Sequence, residues 1–285
     1  MAFSKVFTIP GRGFPRFKKK GRNDSLYLEG NIKISGNRIK LPKIGWVRTY
    51  EKHLPPILVK SNSNVTISCF AARWFISYKV DVKPEHVEHS YGGVGVDLGL
   101  KTLATLSNGK TFPAVKAYRK AKSKIAHLQR SVSRKVKGSN NRKKAILKLQ
   151  KAHYRVASIR NDATHKLTIY LAKNHSEVVI EDLNVSGMLK NHRLAQAIAD
   201  GGFYEFRRQL EYKCQWYDSK LTVVDRFFPS SKTCSHCGHV RKGLKLSDRT
   251  FVCSSCGFFL DRDWNAAINL ALAGSSPVSA CGASH

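Results

Sequence analysis

Hydrophobic and polar residues alternate in short runs over residues 26–82. Runs such as NVTISCF and RWFISYKVDV are typical of strands, and the Gly-Asn pairs that begin at Gly30 and Gly36 are hairpin signals. Short strands at this spacing predict a small β-barrel. A linker is expected from Pro84 to Gly93.

The pattern then changes to alternating strands and helices. GGVGVDLGL and TLATLSNGKTF predict adjacent strands, and SEVVIEDL and LTVVDRF predict two more. Two helices joined near Gly138 are predicted to run to about Lys173, and DRDWNAAINLALAG predicts a final helix that ends at Gly274. A further helix is expected over 195–218, with four inward residues, Ile198, Phe206, Leu210 and Trp216. This alternation predicts an α/β domain.

The charge of the chain points to its partner. Lys and Arg number 50 against 19 Asp and Glu, a formal net charge of +31. Such an excess repels itself unless a polyanion neutralises it, and nucleic acid is favoured because neutralised phosphates release counterions. A basic protein without a ligand and an anionic membrane surface are the alternatives. No apolar anchor, membrane-length apolar run or signal peptide accompanies the charge, so we expect a soluble cytoplasmic protein without a membrane partner.

The cations are concentrated in one stretch. Between Leu98 and Asn161 the chain has no Asp or Glu, and the two predicted helices there carry Lys or Arg at nearly every turn. A solvated helix face is the ordinary explanation of a charge run, but the complete absence of acids favours phosphate binding. We predict that seven residues bind nucleic acid: Arg119, Lys120, Arg134, Lys135, Arg142, Lys143 and Lys144.

Four cysteines form two CxxC knuckles separated by fifteen residues, at positions Cys234, Cys237, Cys253 and Cys256. This spacing is typical of a tetrahedral structural Zn²⁺ site, closed because sulfur fills all four positions. Disulfides or free thiols are the alternative, and a reducing compartment disfavours disulfides. His236 and His239 are left over, and we interpret them as surface or nucleic-acid contacts.

Carboxylates are scarce, so their positions are informative. Asp97 lies in the strand GVGVDLG, Glu181 ends the strand VVIE, and Asp261 and Asp263 open the last helix. Singly, these acids can be explained as a turn cap, a lysine partner and a helix N-cap. Together, strand ends and a helix start can converge on one end of a sheet, where two Mg²⁺ or Mn²⁺ ions about 4 Å apart would hold a phosphodiester. The pattern leaves the choice between Asp261 and Asp263 open.

The order of DLG, IEDL, PSSKTCSHCG, a second CxxC and DRDWNAAINL resembles the RuvC-type nuclease half of transposon-encoded TnpB (OrfB) proteins, relatives of the type V CRISPR effectors. GFPRFKKKG, NRIKLPKIGWV and LQRSVSRKVKGSNNRKKA are also similar to that family, from about Phe14 to Leu272. The resemblance implies an incomplete wedge-type β-barrel over 1–90 and a RuvC-like, RNase H-like core with basic helices over 91–228. A zinc ribbon over 229–258, the last helix over 259–273 and a disordered tail over 274–285 would follow.

The resemblance also implies a function. It makes Asp97, Glu181 and Asp263 the catalytic, magnesium-binding triad, with Mg²⁺ or Mn²⁺ at that site and Zn²⁺ in the ribbon. Family members are programmed by a transposon-derived guide RNA and cleave matching DNA, so we expect a metal-dependent DNA endonuclease. They usually carry a further segment before the GFPRF phrase, with a helical lobe for the guide–target duplex. A short amino terminus favours the alternatives, a non-cleaving DNA- or RNA-binding protein or an accessory factor of a transposase. A transposase that performs strand transfer is a third hypothesis.

Overall fold

The computed structural model describes residues 24–52, 54, 64–80, 87–245 and 248–275. The GFPRFKKKG phrase and residues 276–285 of the expected tail lie outside these ranges. The chain forms two compact units, one built on the strands before residue 82 and one on the rest, except that Ile146–Gln150 group with the first unit. Within the described ranges, no helix combines the length and the apolarity needed to cross a membrane.

The described residues of the first unit form six strands in two sheets. The strands are β1 (Ser25–Glu29), β2 (Lys33–Ser35), β3 (Arg38–Leu41), β4 (Gly45–Arg48), β5 (Asn64–Phe70) and β6 (Arg73–Tyr78). One sheet has the order β1-β5-β6 and the other β2-β3-β4, and all pairs are antiparallel. Alternate residues of both sheets meet in one apolar cluster, which includes Ile32, Ile39, Leu41, Val65 and Ile67.

Only one of the two predicted hairpins forms. The turn at Gly36 joins β2 to β3, and Gly36 has a φ of 56°. The prediction at Gly30 is wrong, because β1 pairs with β5 and the chain passes to the other sheet there. In this unit the described residues form two three-stranded sheets. Closure of these sheets into a barrel stays a prediction.

The second unit is built on a five-stranded sheet of order β11-β10-β7-β8-β9. These strands are β7 (Tyr91–Leu98), β8 (Thr102–Leu106), β9 (Thr111–Pro113), β10 (His175–Glu181) and β11 (Lys220–Val224). β7, β10 and β11 are parallel, whereas β8 and β9 form an antiparallel meander from β7. The expected linker is too long, because Tyr91 already pairs with His175 and so begins β7.

Two long helices occupy the basic stretch as predicted, α1 (Ala117–Ser133) and α2 (Asn140–Asn174). The Ser139 hydroxyl caps α2 by accepting a hydrogen bond from the Arg142 backbone N–H at 3.2 Å. The Arg142 guanidinium donates to the carbonyl oxygens of Val132 and Lys135 at 2.8 and 3.0 Å. These bonds satisfy carbonyls at the end of α1 and fix the connection between the two helices.

The helix expected over 195–218 is broken in two. After the short helix α3 (Val185–Leu189) come α4 (Ala195–Gly201) and α5 (Phe203–Trp216), separated by Gly202. Gly202 has a φ of 68°, which ends α4 in the left-handed conformation that glycine adopts without strain. Ile198, Phe206 and Leu210 are buried as predicted, but Trp216 is half exposed, so its inward assignment is wrong.

The last helix, α6 (Arg262–Ser275), lies directly against the sheet. Ala266, Ala267 and Leu270 are buried, and an ideal Cβ on Gly95 of β7 would overlap the carbonyl oxygen of Ala267. The close approach of α6 to β7 therefore depends on the absence of a side chain at Gly95. Just before α6, β12 (Thr250–Val252) and β13 (Phe259–Asp261) form an antiparallel pair.

Candidate functional site

Two of the predicted catalytic acids lie side by side on the central sheet. Val96 of β7 and Ile180 of β10 are register partners in parallel strands, so Asp97 and Glu181 follow them at the same end of the sheet. Burial raises the pKa of Asp97 to about 7, and the negative charges of Asp263 and Glu181 add to this effect. Asp97 of β7 thus lies within electrostatic range of both Glu181 of β10 and Asp263 of the first turn of α6.

The cluster is electrostatically unfavourable by itself. Burial also raises the pKa of Glu181, with a further contribution from the charge of Asp182, and Arg262 is the cation that lowers the pKa of Asp97. Converging carboxylates resist ionising together unless a cation compensates them. Their hard oxygen atoms are the ligands that Mg²⁺ and Mn²⁺ prefer, so the donor set fits such ions.

Asp261 and Asp263 have different local roles. The Asp261 carboxylate accepts hydrogen bonds from the backbone N–H groups of Asp263 and Trp264 at 3.0 and 3.1 Å, which is N-cap geometry for α6. The Asp263 carboxylate lies 3.3 Å from the Arg262 guanidinium, and its charge raises the pKa of Asp97 more than the charge of Asp261 does. The geometry therefore separates two acids that the sequence pattern left equivalent.

A cavity of about 750 Å³ opens at the carboxylates, with Asp97 and Asp263 in its wall. Six cations also line it: Lys101, Lys116, Arg119, Arg160, Arg249 and Arg262. Of these, only Arg119 is among the predicted nucleic-acid-binding residues, and the other five were not singled out from the sequence. Arg262 had a signal in the sequence, because it stands between the two acids of DRD. The others come from distant segments that only the fold brings together.

The other six predicted nucleic-acid-binding residues lie elsewhere on α1, on α2 or in their connection. Lys120, Arg134, Lys143 and Lys144 are exposed, whereas Lys135 and Arg142 are half-buried. The Arg142 guanidinium is already bonded to backbone carbonyls, which assigns it a structural role in the connection.

Asp200 positions the start of α1, a role that the sequence analysis missed. Its buried carboxylate accepts hydrogen bonds from the backbone N–H groups of Tyr118 and Arg119 at 2.9 and 3.2 Å. An acid from α4 thus caps a helix far away in sequence and holds Arg119 at the cavity.

The four predicted zinc ligands meet at one point. The sulfur atoms of Cys234, Cys237, Cys253 and Cys256 all lie within 4.8 Å of one another. Backbone N–H groups of Cys256 and Ser255 lower the pKa of the Cys253 thiol, which favours the thiolate that metals bind. The cluster can therefore bind a metal ion with four sulfur ligands. His236 stacks on Phe258 and His239 lies near Ser254, and both histidines are exposed.

Two asparagines of α6 hold the segment that leads into this cysteine cluster. Asn265 is fully buried, donates to the carbonyl of Thr233 at 2.7 Å and accepts from the backbone N–H of Ser235 at 3.0 Å. Asn269, one turn later, donates to the carbonyls of Ser230 and Thr233. Neither asparagine was predicted to have this role, although two amides four residues apart in an apolar helix are a signal that the sequence contains.

Two protein-family models match the segments that contain the carboxylates and the cysteine cluster. A family model described as "Probable transposase", OrfB_IS605, matches residues 75–192, and the "Cas12f1-like, TNB domain" model matches residues 203–270. The "Putative RNA-guided DNA endonuclease InsQ" of Escherichia coli strain K12 is 40% identical over 98% of this chain and 72% of its own length. The chain belongs to the TnpB (OrfB) family. A second family member, "Putative RNA-guided DNA endonuclease" of Streptomyces pristinaespiralis, is also 40% identical, over 99% of this chain and 70% of its own length.

A structural comparison agrees with this membership. The cryo-EM structure of a Cas12f1–sgRNA–target DNA complex superposes with a TM-score of 0.50 at 20% identity. The match covers 74% of this chain and 45% of that one, so this TnpB-family chain spans less than half of the Cas12f1 protein. At this identity the likeness concerns the fold alone.

Proposed function

We propose that this chain is a metal-dependent DNA endonuclease guided by a transposon-derived RNA, with Asp97, Glu181 and Asp263 as its catalytic carboxylates. The observation that carries the proposal is that Asp97 lies within electrostatic range of Glu181 and Asp263, and that Asp97 and Asp263 line a cavity together with six cations. Relatives named as RNA-guided DNA endonucleases support it, since they match this chain over nearly its whole length.

The carboxylates would bind two Mg²⁺ or Mn²⁺ ions, with Asp97 and Glu181 on rigid strands and Asp263 on α6. When bound, such ions activate water for attack on a phosphodiester and stabilise the charge on the leaving oxygen. The Arg262 guanidinium beside Asp263 restricts the orientation of that carboxylate. The Trp264 indole donates to the carbonyl of Ser107 at 2.9 Å and so ties the start of α6 to the turn after β8.

The cations of the cavity would hold the sugar–phosphate backbone. Lys101, Lys116 and Arg119 lie on the β7–β8 turn and at the start of α1, and Arg249 comes from the segment before β12. Contacts of this kind position a strand without reading its sequence, which fits a protein whose specificity comes from a guide RNA.

The four cysteines would hold a structural Zn²⁺ ion. Their sulfur atoms already lie close enough to share one ion, and four thiolates leave no open position for a substrate. The ribbon would thereby stabilise the segment that Asn265 and Asn269 attach to α6.

A cleavage assay tests the proposed function. The full chain is expressed with the RNA of its transposon, and the purified complex is incubated with a DNA library that carries the matching sequence. We expect cleavage that requires both RNA and Mg²⁺ and stops when the metal is chelated. Sequencing the RNA that co-purifies identifies the guide. Tight DNA or RNA binding without cleavage under all these conditions would instead support a binding protein that does not cut.

A further inference from the structure

A second cavity, of about 520 Å³, is lined by Glu181. Leu98 lines both cavities, but Asp97 lines only the first and Glu181 only the second. On the proposed function, a phosphodiester bound between Asp97 and Glu181 would have one neighbouring nucleotide directed towards each cavity. The first cavity has six cations in its wall, which suit phosphates, so the residues that line the second cavity decide which other part of a nucleotide it can hold.

The second cavity combines an apolar floor with a polar rim. Its floor is formed by aliphatic and aromatic side chains, namely Leu98, Ile180, Leu183, Val185, Phe203 and Phe206. Tyr204 also lines it and is 69% exposed, so the face of its ring is available to a ligand. Apolar walls with a few polar groups at the edge are typical of pockets that take a flat organic group.

Asp182 positions two arginines at the rim. Its carboxylate accepts a hydrogen bond from Arg207 through one oxygen and from Arg226 through the other. These two hydrogen bonds hold both arginines beside Glu181.

The two arginines differ in how much of their hydrogen-bonding capacity is used. Arg207 also donates to Glu211 at 3.2 Å, so it serves two acids. Arg226 binds Asp182 through one terminal nitrogen of its guanidinium. The other N–H groups of that guanidinium do not point at Asp182 and can donate to a ligand. Arg226 is 45% exposed, and its fork matches the geometry of a phosphate.

We propose that the second cavity is a nucleotide subsite for the DNA strand being cut, with the base against the apolar floor and Tyr204 and its phosphate on Arg226. This proposal rests on the proposed function and adds the position of the nucleotide next to the scissile phosphate. A base that is paired in a duplex cannot enter a side pocket, so the subsite selects single-stranded DNA. It is indifferent to sequence, because every base has a face that stacks on an aromatic ring.

The competing explanation is purely structural. Arg207 and Arg226 could serve only to satisfy Asp182, and the apolar floor could belong only to the core of the second unit. Under that explanation, removing Arg226 lowers the stability of the protein and leaves DNA affinity unchanged. The two explanations thus differ in a binding measurement, not only in activity.

The experiment uses the full chain with its RNA and a short single-stranded DNA as the probe. For Arg226→Ala we expect a KM for single-strand cleavage about tenfold higher with little change in kcat, and a salt dependence of binding smaller by about one phosphate contact. The matched control is Lys220→Ala. The Lys220 ammonium also pairs with a carboxylate, Glu177 at 2.8 Å, but at the other end of β11. It should leave the KM and the salt dependence unchanged.

A second arm identifies the base. Abasic sites are placed in turn at each position flanking the scissile bond, and the KM is measured for the parent and for Tyr204→Ala. We expect one position at which the abasic site weakens the parent about tenfold but has no further effect on Tyr204→Ala. If no position shows this coupling, or if Arg226→Ala lowers only the melting temperature, the cavity is not a nucleotide subsite. If the parent does not cut DNA, the proposed function fails, while the salt dependence of binding still tests the subsite.

Discussion

Asp97 and Glu181 occupy the same end of two hydrogen-bonded parallel strands, one residue beyond the paired Val96 and Ile180. This register places their carboxylates side by side although they are far apart in the sequence. A shift of one residue in either strand would turn one carboxylate to the opposite face of the sheet. The pairing of β7 with β10 is therefore the first requirement for the proposed site.

Substitution of any one of the three proposed catalytic acids should abolish DNA cleavage. Asp97→Asn, Glu181→Gln and Asp263→Asn keep the shape of each side chain but remove its charge, so metal binding and DNA cleavage should be lost. DNA binding should change little, because the cations of the first cavity remain. Cleavage and equilibrium binding are measured on the same preparations.

Asp261→Asn is the matched control for Asp263→Asn. Asp261 caps α6 through hydrogen bonds from the N–H groups of Asp263 and Trp264, and asparagine also caps helices well. Most of the cleavage activity should therefore remain. Loss of cleavage in Asp261→Asn with retention in Asp263→Asn would show that the third ligand is assigned to the wrong acid.

The ribbon should contain about one zinc ion per chain, because four thiolates form one closed site. Cys253→Ser should lose the metal and make residues 229–257 sensitive to proteolysis, since metal binding contributes to the folding free energy of such a segment. Cys69→Ser, which lies outside the cluster, should keep its zinc. Elemental analysis of the reduced protein that finds no zinc would contradict the assignment.

The exposed lysines at the start of α2 should act through phosphate contacts. Reversing Lys143 and Lys144 to Glu should weaken binding equally for all DNA sequences and reduce its dependence on salt. Arg142→Ala should behave differently, because its guanidinium is bonded to the carbonyls of Val132 and Lys135. It should lower the thermal stability and leave the salt dependence unchanged. An unaltered salt dependence in the lysine variant would mean that this face is only solvated.

Lys213 should make the stability of the protein depend on pH. Its ammonium is buried against Thr168, Gln209 and His165, and burial lowers its pKa from 10.5 to about 8. Between these values the unfolded chain binds more protons than the folded one, so the free energy of unfolding should rise with pH from about 8 to 10.5, by at most about 3 kcal/mol. Urea titrations of the zinc-loaded parent and of Lys213→Met test this. The difference between the two proteins should change with pH across that window.

Gly95→Ala should disrupt the packing of α6. A Cβ at this position would overlap the backbone of α6 at Ala267 and Ala271, which cannot move away as a flexible side chain can. We expect a loss of about 3 kcal/mol or more of stability, because overpacking against backbone is not relieved locally. Gly92→Ala is the control in the same strand, since a Cβ there meets nothing within 4 Å. Equal melting temperatures of the two variants would contradict this account.

Local signals in the sequence predicted much of this fold. Helical spacing predicted α1 and α2, and the CxxC spacing predicted which four sulfurs would meet. The predictions were wrong where the same local sequence pattern forms different structures at two places in the fold. The Gly-Asn pair at Gly36 closes a hairpin, whereas the pair at Gly30 leads to another sheet, because strand pairing depends on distant residues. Likewise, periodicity continued through Gly202 and hid the break between α4 and α5.

The candidate site was predictable only where its chemistry is local. Scarce acids at strand ends pointed to Asp97 and Glu181, but the separation of Asp261 from Asp263 required the hydrogen bonds at the start of α6. The lining cations Arg160 and Arg249 and the cap at Asp200 remained hidden, because their partners lie far away in sequence. A single sequence contains no direct record of such pairs.

The order in which the three carboxylates are synthesised has a consequence for the cell. Asp97 and Glu181 leave the ribosome well before Asp263, which follows the cysteine knuckles and begins the last helix. On the proposed assignment, the cutting centre stays incomplete until Asp263 has been synthesised and α6 has packed against β7. Translation that stops within the ribbon would therefore release a chain that cannot cut DNA.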